Sequence, residues 1–284
     1  RPDLVHAHLF HPNLATRLLA PRGIPLINTL HVNDRRPGCR YRVLLDRATL
    51  RRATVVTAVS EAVARFHADR LNRPLAEFPV VRNGIHPPPL LEATSRAELR
   101  QRWNVPENAL LIGSVGRLAP QKGYDKFLRL LPDIARSLPA GRSAAVVILG
   151  EGPQRTELER LAAAAPPKIP VSLPGFRPDA PACIAAFDLF VMPSRFEGFG
   201  LTCAEAMAHG VPAIVEPVDS LPELIENYPN GLALPFTPEN APKIANFATR
   251  PRTAPYRPFT VERMADEFEA LYRRCRGEVG TAGL

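Results

Sequence analysis

The chain has 284 residues, 45% of them hydrophobic and 23% charged, which suits one large globular domain or two ordinary ones. No apolar run approaches the ~18 residues of a membrane span, and the four cysteines form no CxxC pair, which argues against zinc and disulfide frameworks. Residues 1–88 carry the whole net charge of +8, with fourteen arginines against six acidic residues. This indicates an anionic partner for that part, or only an arginine-rich composition.

The first third of the chain alternates short strands with helices. The helix over residues 41–52 is basic and amphipathic, and Leu44, Leu45 and Ala48 are predicted to face the core. Ser60 follows the third strand, where its hydroxyl is expected to cap the next helix. The predicted strands cover residues 2–6, 24–28 and 53–59, and the predicted helices cover residues 11–19, 41–52 and 61–68.

Three prolines at residues 87–89 place the domain boundary between residues 88 and 89. Strands and helices then alternate with a short period up to residue 258, which is typical of βαβ units and a parallel sheet. Residues 259–284 contain a last amphipathic helix, over residues 261–274. The predicted strands between these limits include residues 110–115, 145–149, 171–173, 189–192 and 213–215, and the predicted helices include residues 95–103, 126–137, 154–164 and 202–209.

Glycine-bearing loops follow four strands of the second domain, and parallel strands bring such loops to one edge of the sheet. The loop after Val115 contains Arg117 and Lys122, a planar guanidinium and a mobile ammonium group suited to phosphate oxygens. Such a pair can take up the developing charge of a diphosphate leaving group without a metal. Because the sequence has no Asp-x-Asp triplet, a metal-independent, nucleotide-sized crevice is predicted at this edge.

The loop after residues 189–192 introduces two further candidates, Glu197 and Glu205. Glu197 lies in a Glu-Gly-Phe-Gly loop whose glycines allow close approach to a ligand, and Phe199 between them is expected to be exposed. Glu205 lies in a short predicted helix that Gly210 closes. Alternatively, both glutamates are ordinary surface residues, and Glu205 then only adds to helix stability.

These motifs resemble those of the retaining nucleotide-sugar glycosyltransferases of family 4. The resemblance rests on GRLAPQKG from residue 116 and SRFEGFGLTCAEAMAHGVPAIV from residue 194, and it extends over nearly the whole chain. It departs at Asp219 and Ser220, where the family usually has two glycines. It implies an α/β GT-B fold, in which two Rossmann-like domains with parallel sheets face each other across a cleft. It also implies that the first domain is incomplete and that the last helix crosses back to it.

The resemblance assigns a role to each candidate. Arg117 and Lys122 would hold the donor diphosphate, and Glu205 would accept hydrogen bonds from the ribose hydroxyls. Glu197 would orient a sugar hydroxyl and stabilise an oxocarbenium-like transition state. Backbone N–H groups would face the phosphate or sugar from a loop that consists of Gly198, Phe199, Gly200 and Leu201.

Strand-end residues complete the predicted site. His31 resembles the family's strand-end histidine near the donor sugar and acceptor, and His8 closes the preceding strand in the same way. His6 is interpreted as structural, because a single histidine is more often a hydrogen-bonding residue of the fold. Phe176 and Arg177 follow another strand and are candidates for the nucleobase side.

The predicted function is transfer of a sugar from a UDP- or GDP-linked donor to an acceptor, such as a lipid-linked glycan or another cell-envelope precursor. No cofactor, no metal and no nucleic acid is expected, and the predicted location is the cytoplasm, at the inner face of an anionic membrane. One alternative is a glycoside hydrolase with Glu197 and Glu205 as its carboxylate pair, although hydrolases have no use for cations at a diphosphate. Another is a non-catalytic nucleotide-sugar binding remnant.

Overall fold

The computed structural model describes residues 1–33, 35, 40–87 and 93–277, which form two compact units. Unit 1 comprises the described parts of Arg1–Gly84, Glu197–Phe199 and Phe259–Leu284, and unit 2 comprises those of Ile85–Phe196 and Gly200–Pro258. The boundary predicted between residues 88 and 89 lies outside the described residues. None of the described helices is long and apolar enough to cross a membrane.

Within the described residues, unit 1 is built on a parallel sheet of three strands in the order β1-β2-β3. Leu26 and Ile27 of the central strand are fully buried, as expected for a strand covered on both faces. Ser60 caps the third helix as predicted, because its Oγ accepts a hydrogen bond from the Val63 backbone N–H at 3.2 Å. The elements are β1 (Val5–His8), α1 (Phe10–Leu19), β2 (Leu26–Leu30), α2 (Arg40–Thr49), β3 (Val55–Ala58) and α3 (Glu61–Leu71).

Helix α2 presents a different face to the core from the one predicted. Leu44 is 66% exposed, and Leu45 and Ala48 are also exposed. The buried side chain is Asp46, whose Oδ1 lies 2.6 Å from Nη2 of the equally buried Arg17. The prediction that Leu44, Leu45 and Ala48 face the core was wrong, because the Arg17–Asp46 ion pair sets the rotation of α2. A hydropathy pattern assigns both charged residues to the surface.

Unit 2 contains a parallel sheet of six strands among the described residues, in the order β6-β5-β4-β7-β8-β9. The predicted alternation of strands and helices and the parallel sheets of both units are thereby confirmed. The elements are α4 (Ala93–Arg102), β4 (Leu110–Val115), α5 (Tyr124–Ser137), β5 (Ala144–Leu149), α6 (Arg155–Ala163), β6 (Val171–Gly175), α7 (Ala180–Cys183), β7 (Leu189–Met192), α8 (Leu201–Ala208), β8 (Ala213–Val215), α9 (Leu221–Ile225), β9 (Gly231–Ala233) and α10 (Ala241–Phe247).

The strand order of unit 2 reverses at β4. The chain proceeds outward from β4 to β5 and β6, and then returns to place β7 on the other side of β4. Loops at the carboxyl ends of strands on either side of such a reversal diverge, which leaves a crevice where ligands of open α/β sheets bind. The fold therefore gives the loops after β4, β5 and β7 the position of a ligand site.

The last helix, α11 (Val261–Cys275), belongs to unit 1. Thr260 caps it by accepting a hydrogen bond from the Arg263 N–H at 3.2 Å. Its apolar face packs as predicted, with Leu271 buried and the Phe268 ring 4.9 Å from the His6 ring. Gly84 lies so close to this helix that a Cβ atom would be 2.4 Å from the Thr260 carbonyl oxygen, which only glycine permits.

Candidate active site

The loop after β4 lies against the loop after β5 in unit 2. The Gly116 N–H donates to the Leu149 carbonyl and the Leu118 N–H donates to the Glu151 carbonyl, both at 2.9 Å. Gly150 has φ +146°, and a Cβ there would lie 2.0 Å from the Gly116 carbonyl oxygen. The close approach of the two backbones explains the glycine at position 150.

The same loop carries the two predicted phosphate ligands. Arg117 is exposed, and Lys122 ends a single 3₁₀ turn, Pro120–Lys122. Gly123 follows with φ +66°, and a Cβ at this position would lie 2.1 Å from the Pro193 carbonyl oxygen in the loop after β7. The two cations are thus placed beside the strand reversal, as the glycine-bearing loops predicted.

Gln121 and Arg195 fasten the loops after β4 and β7 to each other, and sequence reasoning missed both residues. Gln121 Nε2 donates to the Phe196 backbone carbonyl at 3.2 Å, and the Gln121 backbone carbonyl accepts from the Arg195 backbone N–H at 2.7 Å. The Arg195 guanidinium also forms a two-pronged ion pair with Asp125, at 2.8 and 2.7 Å. Hydrogen bonding from Arg195 lowers the pKa of the Asp125 carboxyl below its ordinary value. Neither residue type signals such a role in sequence.

Helix α8 of unit 2 carries Glu205, the residue that is predicted to bind the ribose. Gly200 precedes the helix with φ +98°, and the exposed Leu201 begins it. Burial raises the pKa of Glu205 to about 7. The Thr202 hydroxyl in the first turn is buried and has no hydrogen-bond partner within the described residues, although no sequence signal marked it. A ligand with hydroxyl and phosphate groups could satisfy both side chains.

Two further predictions concern loops of unit 2. Asp219 has φ +46°, so this non-glycine residue adopts a backbone conformation that the glycine expected from the family would adopt with less strain. Phe176 is 73% exposed after β6, as a stacking side chain would be. Arg177 instead pairs with Asp179, whose hydrogen bond raises the pKa of the guanidinium. The role of both residues at a nucleobase stays a prediction.

The tripeptide Glu197–Phe199 belongs to unit 1, although its neighbours in sequence belong to unit 2. Its middle residue, Gly198, packs against the backbone after β2, since a Cβ there would lie 1.7 Å from the His31 carbonyl oxygen. Ser60 Oγ donates to the Gly198 carbonyl at 2.8 Å. The predicted exposure of Phe199 was wrong: it is 5% exposed, because its ring packs edge-on against Phe259 at 5.3 Å.

Histidines form a cluster at the ends of β1 and β2. His8 Nδ1 and His31 Nε2 are 2.8 Å apart, so one proton is shared between them. His6 contacts the Tyr272 hydroxyl at 2.8 Å through Nδ1, and Thr29 Oγ1 at 2.7 Å through Nε2. Burial, reinforced by neighbouring imidazoles, lowers the pKa of His6 and of His31 to about 4. Burial lowers the pKa of His8 as well, so the cluster is neutral at pH 7.

A cavity of about 350 Å³ lies within unit 1 and includes His31 in its wall. Helices α1, α2 and α3 supply its other polar residues, among them Arg42 and Arg70. Two buried polar atoms of its lining residues, Arg17 Nη1 and Asn13 Oδ1, have no hydrogen-bond partner within the described part of the chain. The cavity therefore combines a largely apolar lining with cationic side chains, and it is large enough for a sugar-sized group.

The predicted site residues fall into two groups. Arg117, Lys122 and Glu205 lie in unit 2, with Gly200 and Leu201, whereas Glu197, Gly198, Phe199, His8 and His31 lie in unit 1. Among the residues that the structure describes, no group of three or more His, Cys, Asp or Glu side chains could hold a metal ion. The chemistry available from these side chains is charge stabilisation by cations and hydrogen bonding by carboxylates and neutral imidazoles.

The sequence matches two protein families. Residues 95–247, more than half of the chain, match the family described as "Glycosyl transferases group 1", and residues 1–87 match "Glycosyltransferase Family 4". The chain is 28% identical over 274 residues to an alpha-D-kanosaminyltransferase of Streptomyces kanamyceticus, covering 87% of this chain and 67% of the relative. It is 27% identical over 273 residues to a D-inositol 3-phosphate glycosyltransferase of Saccharomonospora viridis, covering 88% of this chain and 62% of the relative.

Solved structures of similar fold include the Anabaena protein Alr3699/HepE in complex with UDP. Its TM-score is 0.75 at 21% identity, covering 96% of this chain and 79% of that one. Sucrose-phosphate synthase from Thermosynechococcus elongatus has a TM-score of 0.74 at 20% identity, covering 98% and 74%. This chain spans about two thirds of the length of the curated relatives described above. It has the α/β GT-B fold with parallel sheets, and it belongs to the glycosyl transferases group 1 family.

Proposed function

We propose that this chain acts in the transfer of a sugar from a UDP- or GDP-linked donor to an acceptor, with retention at the anomeric carbon. The observation that carries the proposal is the loop after β4, which places Arg117 and Lys122 at the strand reversal of unit 2. Family membership and the UDP bound to a structural neighbour agree with a nucleotide-sugar donor. A hydrolase of glycosidic bonds would gain nothing from this loop.

The donor diphosphate is assigned to the two cations. When the glycosidic bond breaks, negative charge develops on the leaving phosphate, and Arg117 and Lys122 stabilise it by charge-assisted hydrogen bonds. This assignment lets the reaction proceed without a metal. The ribose is assigned to Glu205. The two hydroxyl groups of the ribose would donate hydrogen bonds to the carboxylate and replace part of the hydration that burial removes.

The donor sugar is assigned to Glu197 and His31. Glu197 accepts a hydrogen bond from a sugar hydroxyl and stabilises positive charge on the ring as the bond breaks. His31 is neutral at pH 7, because its pKa is about 4, so it acts as a hydrogen-bonding group and not as a cation.

The acceptor is assigned to the cavity of unit 1. Its arginine-rich wall favours an acceptor with hydroxyl groups and an acidic group, and lipid-linked glycans of the cell envelope meet that description. The exposed face of α2 combines arginines with Leu44 and Leu45, which favours contact with an anionic membrane surface. The same combination suits the predicted cytoplasmic location at the inner face of the membrane.

Steady-state kinetics of two glutamate variants test the proposal. Glu205→Gln should chiefly raise the donor KM, because a ribose contact is equal in ground and transition states. Glu197→Gln should chiefly lower kcat, because its contact strengthens as charge develops on the sugar. The reverse pattern would exchange the two roles. An NMR spectrum of the product that shows inverted anomeric configuration would contradict retention.

A further inference from the structure

Ser60 joins the end of β3 to the tripeptide that carries Glu197. Its side chain is fully buried and makes two hydrogen bonds to residues that the structure describes. Oγ accepts from the Val63 N–H at 3.2 Å, which caps α3, and donates to the Gly198 carbonyl at 2.8 Å. A cap alone needs only the acceptor, so the donated bond to a residue 138 positions away is a second use of the hydroxyl.

Gly198 is also restrained by the backbone after β2. Its α-carbon faces the His31 carbonyl oxygen so closely that a methyl group would lie 1.7 Å from that atom. Because glycine has the widest choice of backbone angles, packing on one face does not by itself fix the direction of its carbonyl group. The hydrogen bond from Ser60 supplies that missing restraint.

We infer that Ser60 is a positioning residue for Glu197: its hydroxyl fixes the Gly198 peptide and thereby the backbone from which the Glu197 side chain projects. The inference rests on the proposed role of Glu197. A reacting group displaced by about 1 Å loses much of its effect on rate, so a single buried bond beside it is measurable in kcat. Arg117, Lys122 and Glu205, the residues assigned to the diphosphate and ribose, lie in unit 2, so donor affinity should change little.

The test compares Ser60→Ala with Thr260→Ala. Both changes remove an N-cap hydroxyl that accepts a backbone N–H at 3.2 Å in unit 1, but only Ser60 also donates to Gly198. Hydrogen–deuterium exchange of the chain should show the amides of residues 197–199 exchanging at least fivefold faster in Ser60→Ala. Thr260→Ala should leave their exchange within twofold of the wild-type rate.

Donor turnover supplies a readout that a merely structural role would not move. Ser60→Ala should lower kcat about tenfold and leave the donor KM within twofold of wild type. Thr260→Ala should leave both constants unchanged when each variant is assayed at the same interval below its own Tm. Equal exchange at residues 197–199 in the two variants, or an unchanged kcat in Ser60→Ala, would overturn the inference. Failure of the proposed function has a separate signature, since Glu197→Gln would then leave turnover unchanged while Ser60→Ala still loosened the loop.

Discussion

The loop after β4 in unit 2 and the Glu197 tripeptide of unit 1 are held in place by different means. The loop with Arg117 and Lys122 is fixed by neighbours in its own sheet, through backbone bonds of 2.7–2.9 Å to the loops after β5 and β7. The tripeptide follows β7 in sequence, but its middle residue contacts Ser60 and His31, more than 130 positions away. Local topology therefore places the two cations, whereas the position of Glu197 depends on long-range contacts.

The largest effect should come from closing the space that Gly198 leaves open. Gly198→Ala places a methyl group 1.7 Å from the His31 carbonyl oxygen, so the tripeptide must move. We expect kcat to fall about 100-fold or more, which is the scale of a 1 Å misplacement, with the affinity of unit 2 for nucleoside diphosphate retained. Gly141→Ala in unit 2 is the control: a methyl group there meets nothing within 4 Å, while its φ of +73° strains the backbone, so a loss of kcat from mere destabilisation would appear in this variant too. If kcat of Gly198→Ala stayed within threefold of wild type, the position of Glu197 would not depend on the contact between Gly198 and His31.

Removal of either cation should affect binding and not the tripeptide. Arg117→Ala and Lys122→Ala should each weaken nucleoside diphosphate binding by about 1.5–3 kcal/mol, the value of a hydrogen bond to a charged group. Calorimetry on the single and double variants would also show coupling between the two side chains. Arg136→Ala, at an exposed position of α5, controls for the change in net charge. Unchanged affinity in both variants would contradict the assignment.

The half-buried Glu205 should make unit 2 less stable as pH rises. Its pKa is about 7 instead of the ordinary 4.5, so between these values the folded state binds more protons than the unfolded state. The free energy of unfolding therefore falls as pH rises from about 4.5 to 7. Glu205→Gln should recover about 2 kcal/mol at pH 8, after allowance for partial exposure of the carboxyl. The single tryptophan, Trp103, lies buried in unit 2 and reports denaturant unfolding by its fluorescence.

Burial also lowers the pKa of His209 in unit 2. Because His209 is present in both wild type and Glu205→Gln, its effect on the pH dependence of unfolding cancels when the two proteins are compared. Equal pH dependence of unfolding in wild type and Glu205→Gln would show that the carboxyl is solvated in the folded protein.

Unit 1 should respond to pH in the opposite direction. The pKa values of His6 and His31 are about 4 when folded and about 6.5 when unfolded, so the unfolded state binds more protons between these values. Stability is therefore present above pH 6.5 and is lost as pH falls toward 4, by about 1 kcal/mol per histidine after allowance for partial exposure. Hydrogen exchange in β1 and β2, measured from pH 7 to pH 5, should report the loss. Constant protection over this range would contradict the buried neutral cluster.

The smallest effect concerns the surface of α2. The chain should sediment with vesicles of anionic lipid and less so as salt rises, because each arginine near such a surface contributes about 1 kcal/mol. Leu44→Ser should weaken this binding about threefold or more, since Leu44 is 66% exposed on the basic helix. Leu75→Ser, at a position 41% exposed elsewhere in unit 1, is the matched control. Equal binding to neutral vesicles would favour a dissolved acceptor.

The features that sequence predicted are those that local patterns determine. Apolar runs and glycine punctuation located the strands, and parallel wiring placed Arg117 and Lys122 at a common edge. The inward face of α2 was missed because the buried partner of Asp46 lies 29 positions earlier, in α1. The burial of Phe199 was missed for a similar reason, since it depends on Phe259. Pairings at such separations leave no periodic trace in a single sequence.

The close approach of Gly84 to Thr260 has a consequence for chimeric proteins. Because these two residues touch, the segment between them leaves and re-enters unit 1 at one place, which is the usual requirement for exchanging a domain as a cassette. A cassette taken from a relative would, however, bring its own version of Glu197–Phe199, which must then fit a foreign Ser60 and His31. Grafts of this kind should bind their nucleotide but have a low kcat. The kcat should recover when residues 197–199 of the cassette are changed to those of the recipient.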